Sequence, residues 1–200
     1  RVAARASARR VADERGWRLG GRVGYRTRFE SQAGPETELE FVTEGLLLRR
    51  LQRDPFLEGV AAVVLDEFHE RSLAIDLCLA LLAELRRDAR PELRLVVMSA
   101  TLEAEPVAAF LDAPILRAEG RVHPVEVIYS PREASGPLAP RVAAAVRRGL
   151  GESEDGHTLV FLPGVGEIGA VLRALGELAG FDVLPLHGRL PASEQDRALS

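Results

Sequence analysis

Lysine is absent from all 200 residues, so the 26 basic side chains of the chain are all Arg. That absence excludes the phosphate-cradling loop G-x-x-x-x-G-K-[ST] from this stretch, because its Lys is the group that reaches the β- and γ-phosphates. Cysteine occurs once, at Cys78 within the apolar run "LAIDLCLALLAEL". A single Cys excludes an intrachain disulfide, and a reducing cytoplasm is the simplest compartment for it. Its expected role is packing. No uncharged apolar run approaches the roughly 20 residues of a membrane span, since Asp76 interrupts the longest candidate. No signal-peptide core opens the chain. These absences lead to the expectation of a soluble, cytoplasmic protein with no membrane partner.

What is present fits an ordinary globular chain. Hydrophobic residues make up 46% and charged residues 28%, a balance that excludes disordered and fibrous classes and predicts one or two domains. Charge is uneven: nine Arg stand against only Asp13 and Glu14 up to Arg28, and the rest of the chain carries the acidic excess. Such a cluster suits phosphate contacts and equally suits a solvated helix face. The opening "RVAARASARRVADERG" puts Val2, Ala3, Ala6, Val11 and Ala12 on one stripe, which predicts an amphipathic helix of the fold rather than a transit peptide. Lacking an initiator Met, the chain is expected to start mid-protein.

Apolar strand-like runs alternate with helical stripes: "LEFVT" then "EGLLLRRLQRD", "VAAVVLDE" then "LAIDLCLALLAELRRD", "LRLVVMSAT" then "EAEPVAAFLD". Val- and Leu-rich strands joined through helices predict an α/β fold with parallel, doubly wound strands. Around "RAEGRVHPVEVIYSPREASGPLAP" the periodicity weakens and Gly, Pro and Ser accumulate, apart from the strand candidate "VEVIY". The expected organisation is a first domain over 1–120, a linker over 121–140 and a second α/β domain over 141–200. The second would hold helix "RVAAAVRRGL", strand "TLVFL", helix "GEIGAVLRALGELA" and strand "VLPLH". Both domains are expected to be incomplete, the second stopping inside "PASEQDRALS".

In open α/β sheets ligands bind beyond the carboxyl ends of the strands. Asp66, Glu67, Ser99 and Thr101 all fall there. Asp66 at a buried strand end could bind a magnesium ion through its water shell, with Glu67 orienting or deprotonating an attacking water. The plainer reading makes Asp66 a helix N-cap and its neighbours a solvated turn. Similarly, Thr101 could cap the next helix while Ser99 satisfies a turn. "DEFHE" fails as a zinc helix, because the H-E-x-x-H pattern would require His where Leu73 stands. Thr43, between a strand and a helix, could offer its hydroxyl and free backbone N–H groups to a phosphate, with Gly45 permitting close approach; helix capping shares that geometry.

"DEFH" followed by "ERS", with "MSAT" downstream, resembles motifs II and III of superfamily 2 helicases of the DEAH-box group. "RVAARASARRVA" is similar to the family's motif Ia, "VGYRTRFE" and "FVTEGLLLRRL" to its next nucleic-acid-contacting segments, and "LPLHGRLP" to the early part of its second domain. Phe68 in place of Ala, together with "TLVFLPGVGEI", resembles the bacterial HrpB-like branch. The resemblance implies tandem RecA-like domains of the P-loop NTPase type with parallel sheets, ATP and Mg2+ as cofactors, and single-stranded nucleic acid, RNA before DNA, as partner. It further implies that Asp66 and Glu67 serve magnesium and water, and that His69 links the nucleotide to Ser99 and Thr101. Arg1, Arg26, Arg28, Thr43 and Gly45 would hold the strand. The family's motif I is expected upstream and its motifs V and VI downstream.

Two other classes compete. A non-catalytic nucleic-acid-binding or regulatory fragment is compatible with the basic opening and the missing loop. "GVGEIG", Gly164 to Gly169, fits the dinucleotide pattern G-x-G-x-x-G. Against it, Pro163 precedes the first Gly, and Asp182 comes before "VLPLH" rather than at its end, where a ribose would be met.

Overall fold

The computed structural model describes residues 2–100, 104–118, 120, 123–129, 136–152 and 156–199. Arg1 and Thr101 lie outside the described residues. The chain forms two compact units, Arg1–Gly120 and Arg121–Ser200.

In the first unit, helix α1 (Val2–Arg15) packs on strand β1 (Val23–Arg26). The small side chains of Ala8 and Ala12 let helix and strand approach, and both are buried with Val23 and Tyr25. Gly16 ends the helix at φ +63, the left-handed conformation that favours Gly. Strand β1 pairs antiparallel with β2 (Ser31–Gln32) and parallel with β3 (Leu39–Val42). Gly24 is required in β1, because a Cβ there would collide with the Gln32 carbonyl.

Helix α2 (Glu44–Arg53) follows β3 after a single residue, Thr43. Strand β4 (Ala62–Leu65) and strand β5 (Arg94–Val97) form a second sheet, parallel, with Val63 opposite Leu95 and Leu65 opposite Val97. Between them run a 3-10 turn, Phe68–Glu70, and helix α3 (Leu73–Asp88). Helix α4 (Glu105–Leu111) comes after β5. Val63, Leu65, Phe68, Cys78, Leu82 and Leu93 belong to the main core, where each large apolar side chain contributes roughly 1.5–3 kcal/mol. Strands buried on both faces were expected, but among the described residues β4 and β5 alternate: Val63 and Leu65 are buried in the main core while Val64 and Val96 are half-exposed. The hairpin arm β2 has no apolar period and was not foreseen.

The second unit contains α5 (Leu138–Glu152), α6 (Val165–Leu175) and α7 (Ala192–Leu199). Ala143, Val171 and Leu175 form its buried cluster. Arg147 donates to the carbonyls of Ala174 (3.1 Å) and Leu175 (2.9 Å), supplying charge and donors where a helix end leaves carbonyls unpaired. Helix α5 begins at Leu138, ahead of the helix expected at Arg141. The runs expected as strands, "VEVIY", "TLVFL" and "VLPLH", join no ladder among the described residues. A strand needs a neighbour to hydrogen-bond, and here Tyr129 and Phe161 stand 87% exposed. No described helix is long and apolar enough to cross a membrane.

Candidate functional site

Strand β4 ends at Leu65 and delivers Asp66 and Glu67 to solvent. Asp66 Oδ1 accepts from the Glu67 backbone N–H at 2.9 Å, so the bond orients the carboxylate at the strand end rather than capping a helix. Glu67 sits at φ 51, ψ 37, left-handed backbone that a side chain occupies only when its surroundings enforce it. The enforcement comes from Phe68, buried to 3% exposure in the core, whose N–H donates to Met98 O at 3.0 Å. Met98 N–H in turn donates to Leu65 O at 2.8 Å. The β4–β5 ladder thus continues past both strands and ties the acidic turn to the segment "MSA".

His69 closes the same connection. Its Nδ1 accepts from the Ala100 N–H at 3.3 Å, and its Nε2 lies 3.4 Å from Glu67 Oε2. Nδ1 is thus the acceptor toward the backbone, while Nε2 faces the Glu67 carboxylate. The imidazole therefore bridges the second carboxylate and the backbone beside Ser99. Beyond the turn, Arg71 holds Asp76 through two bonds of 2.7 and 2.9 Å and lies 5.0 Å over the Phe68 ring. Ser72 caps α3, its Oγ accepting from Ile75 N–H at 3.1 Å.

The donor set at Asp66 is one exposed carboxylate beside another. Among the described residues no three His, Cys, Asp or Glu side chains gather into a metal cluster. A lone hard carboxylate suits magnesium, which retains waters and shares its shell with phosphates. The residues present fit that ion at Asp66. No Lys is available to cradle the phosphates.

A second constellation forms at the start of α2. Thr43 occupies the N-cap position, yet it makes no side-chain cap hydrogen bond; only its carbonyl engages the helix, accepting from Leu46 and Leu47. Its hydroxyl is thus not committed to capping. A cavity of about 530 Å³ lies here, lined by Ala3, Ala4, Arg28, Thr43, Gly45 and Arg49 among others. A Cβ on Gly45 would meet open space, so the missing side chain leaves the cavity open. Arg28, Thr43 and Gly45 are brought together. Arg26 is not among the lining residues: it pairs with Glu40 on the adjacent strand, and Arg50 reaches the same carboxylate at 3.4 Å. Sequence reasoning missed Arg49. Its spacing of four from Gly45 was the available signal, since i and i+4 share a helix face.

The glycines of "GVGEIG" lead into α6, but no ladder strand precedes them among the described residues. Gly164 is extended at φ −172, and a Cβ on Gly166 meets nothing. Neither glycine is forced by a tight turn, as the dinucleotide fingerprint requires.

No protein-family model matches the chain. It is 46% identical over 202 residues to the ATP-dependent RNA helicase HrpB of Escherichia coli, covering 100% of this chain and 25% of that protein. It is 38% identical over 212 residues to the probable ATP-dependent RNA helicase DHX34 of Homo sapiens, covering 98% and 18%. The crystal structure of the Escherichia coli DEAH/RHA helicase HrpB superposes with a TM-score of 0.86 over 98% of this chain and 25% of that one. A second crystal structure, of the Escherichia coli DExH-box NTPase HrpB, gives 0.73 over 100% and 25%. The chain spans a quarter or less of the length of these relatives, and the shared fold is the RecA-like α/β fold. Ordered motifs, sequence identity and superposition agree over its own length: the chain belongs to the DEAH-box helicases, within the branch resembling HrpB.

Proposed function

We propose that this chain is the part of an ATP-dependent RNA helicase that carries the water-activating acids and a grip on the strand backbone. The carrying observation is the acidic turn itself, with Asp66 and Glu67 at the end of β4 and bonded through Phe68 and His69 to the segment holding Ser99. In this reading Arg1–Gly120 belongs to a first RecA-like domain, 121–140 to a linker and 141–200 to a second domain. The phosphate-cradling loop comes from sequence beyond these residues.

Bound magnesium would neutralise charge developing on the phosphates of ATP. Asp66 would hold that ion through its waters. Glu67 would orient the water that attacks the γ-phosphorus; the new P–O bond forms as the bond to the β-phosphate oxygen breaks, and the water's proton passes to the carboxylate or onward to solvent. His69 would report the state of Glu67 to the backbone beside Ser99 and Thr101. Arg28, Thr43 and Gly45, with Arg1 and Arg26 as further candidates, would contact phosphates rather than base edges, giving grip without sequence preference. RNA is favoured because the relatives are named as an ATP-dependent RNA helicase and a probable ATP-dependent RNA helicase; a cytoplasmic location fits such an enzyme.

The test is strand separation. The full-length protein carrying this segment should unwind a duplex RNA with a single-stranded tail when given ATP and magnesium. It should fail with a non-hydrolysable analogue. Unwinding that proceeds equally with the analogue would reject the reading.

A further inference from the structure

We propose that Glu44 is a positioning residue that couples strand binding at the Thr43–Gly45 cavity to the acidic turn, through its hydrogen bond to Ser72. The inference rests on the proposed function and adds a path between its two sites. Glu44 itself lines that cavity, between Thr43 and Gly45 in sequence and beside Arg28 and Arg49. Its Oε2 accepts from the Ser72 hydroxyl at 3.0 Å, and its backbone carbonyl accepts from the Cys78 thiol at 3.7 Å. Both bonds reach from the first residue of α2 to α3, 28 and 34 positions further along the chain.

Ser72 is an unusual receiver for such a link. Its oxygen already accepts the α3 cap bond from Ile75, and its one hydroxyl hydrogen goes to Glu44. A hydroxyl has one donor only, so cap and link are made by the same group in one orientation. Immediately before it, Arg71 sits at φ +41, and Glu67 at φ +51 lies on the far side of the 3-10 turn. Left-handed backbone at side-chain-bearing residues is held by its surroundings and persists only while they hold it. The 3-10 turn that follows the two acids is thus bracketed by Glu67 and Arg71, and Arg71 is the chain neighbour of Ser72, which Glu44 grips.

A phosphate entering the cavity engages Arg28, Thr43 and the open position at Gly45. It also sets negative charge beside the Glu44 carboxylate. The helix start and the Glu44 side chain respond together, and Ser72, Arg71 and Glu67 follow along the chain. Burial pushes the Cys78 thiol up to about 11, so at neutral pH it stays protonated and remains a donor to the Glu44 carbonyl. The cores of the two helices remain locked while the exposed Glu44–Ser72 bond supplies the adjustable contact.

The experiment measures steady-state ATP turnover of the full-length protein with and without oligouridylate, beside direct oligouridylate binding. The variants are Glu44→Ala, Ser72→Ala, the pair together, and Ser72→Thr, which keeps both acceptor and donor. Glu44→Ala should lower the ratio of stimulated to unstimulated turnover about tenfold, within the usual range of coupling between sites. Its binding should hold or tighten, because an acid has been removed beside Arg28 and Arg49. The double variant should lose no more than a single one, as for two ends of one interaction, and Ser72→Thr should retain the parental ratio. A parental ratio in Glu44→Ala, or losses that multiply in the double variant, would overturn the coupling while leaving the helicase reading intact. A parent whose turnover ignores oligouridylate would overturn that reading, and this inference with it.

Discussion

At Thr43, the N-cap position and the capping bond are separate facts, and only the position is filled. A Thr whose hydroxyl does not close its own helix is suited to meeting a phosphate, so Thr43→Ala should weaken single-strand binding in the full-length protein similarly for every sequence tested. Arg28→Ala should do the same and reduce the salt dependence of binding by about one phosphate contact. Loss confined to one base composition would contradict both. Arg26 is already paired with Glu40, so Arg26→Ala should change the salt dependence less than Arg28→Ala in the same assay. Ser99 stands beside the Ala100 N–H that His69 accepts, far along the chain from the acids that would do the chemistry. Ser99→Ala with Thr101→Ala should therefore reduce unwinding more than ATP turnover, and equal losses would count against a linking role.

Among the elements, the turn between β4 and α3 shows what was legible and what was not. Asp66, Glu67 and His69 could be read as a unit because they lie within four residues directly after an apolar run, and the strand end puts the two acids in solvent as that pattern implies, with His69 partly buried. The ladder bonds from Phe68 to Met98 and from Met98 to Leu65 were not legible, since they depend on the β4–β5 register. Nor was the Arg26–Glu40 pair, which joins facing strands. Hairpin arm β2 is two residues long and polar, too short for any periodicity. The runs "TLVFL" and "VLPLH" have strand composition, yet composition alone does not supply a hydrogen-bonding neighbour. At Ser72, replacement by Ala removes the α3 cap and should cost about 1 kcal/mol of stability. Leu82, fully buried in the main core, should cost about 2–5 kcal/mol as Ala. Chemical denaturation of the full-length protein ranks the two, and the reverse order would contradict the packing described.

For the whole molecule, the division of labour follows from what each unit contains. Arg1–Gly120 holds both the acidic turn and the cavity at α2, while the described part of Arg121–Ser200 is built from helices around Ala143, Val171 and Leu175. Lacking any Lys, these residues alone give the phosphates no P-loop cradle, and a substrate that is not positioned forfeits most of the rate that orientation supplies. The isolated 200-residue chain should accordingly release no phosphate from ATP above its Glu67→Gln control. The most direct measurement of the central claim is made in the full-length protein: phosphate release with oligouridylate and magnesium, beside ATP binding, for the parent and for Glu67→Gln. If Asp66 holds the ion and Glu67 orients the water, ATP binding should persist while RNA-stimulated turnover disappears. Turnover by Glu67→Gln at the parental rate would contradict the role assigned to the acidic turn.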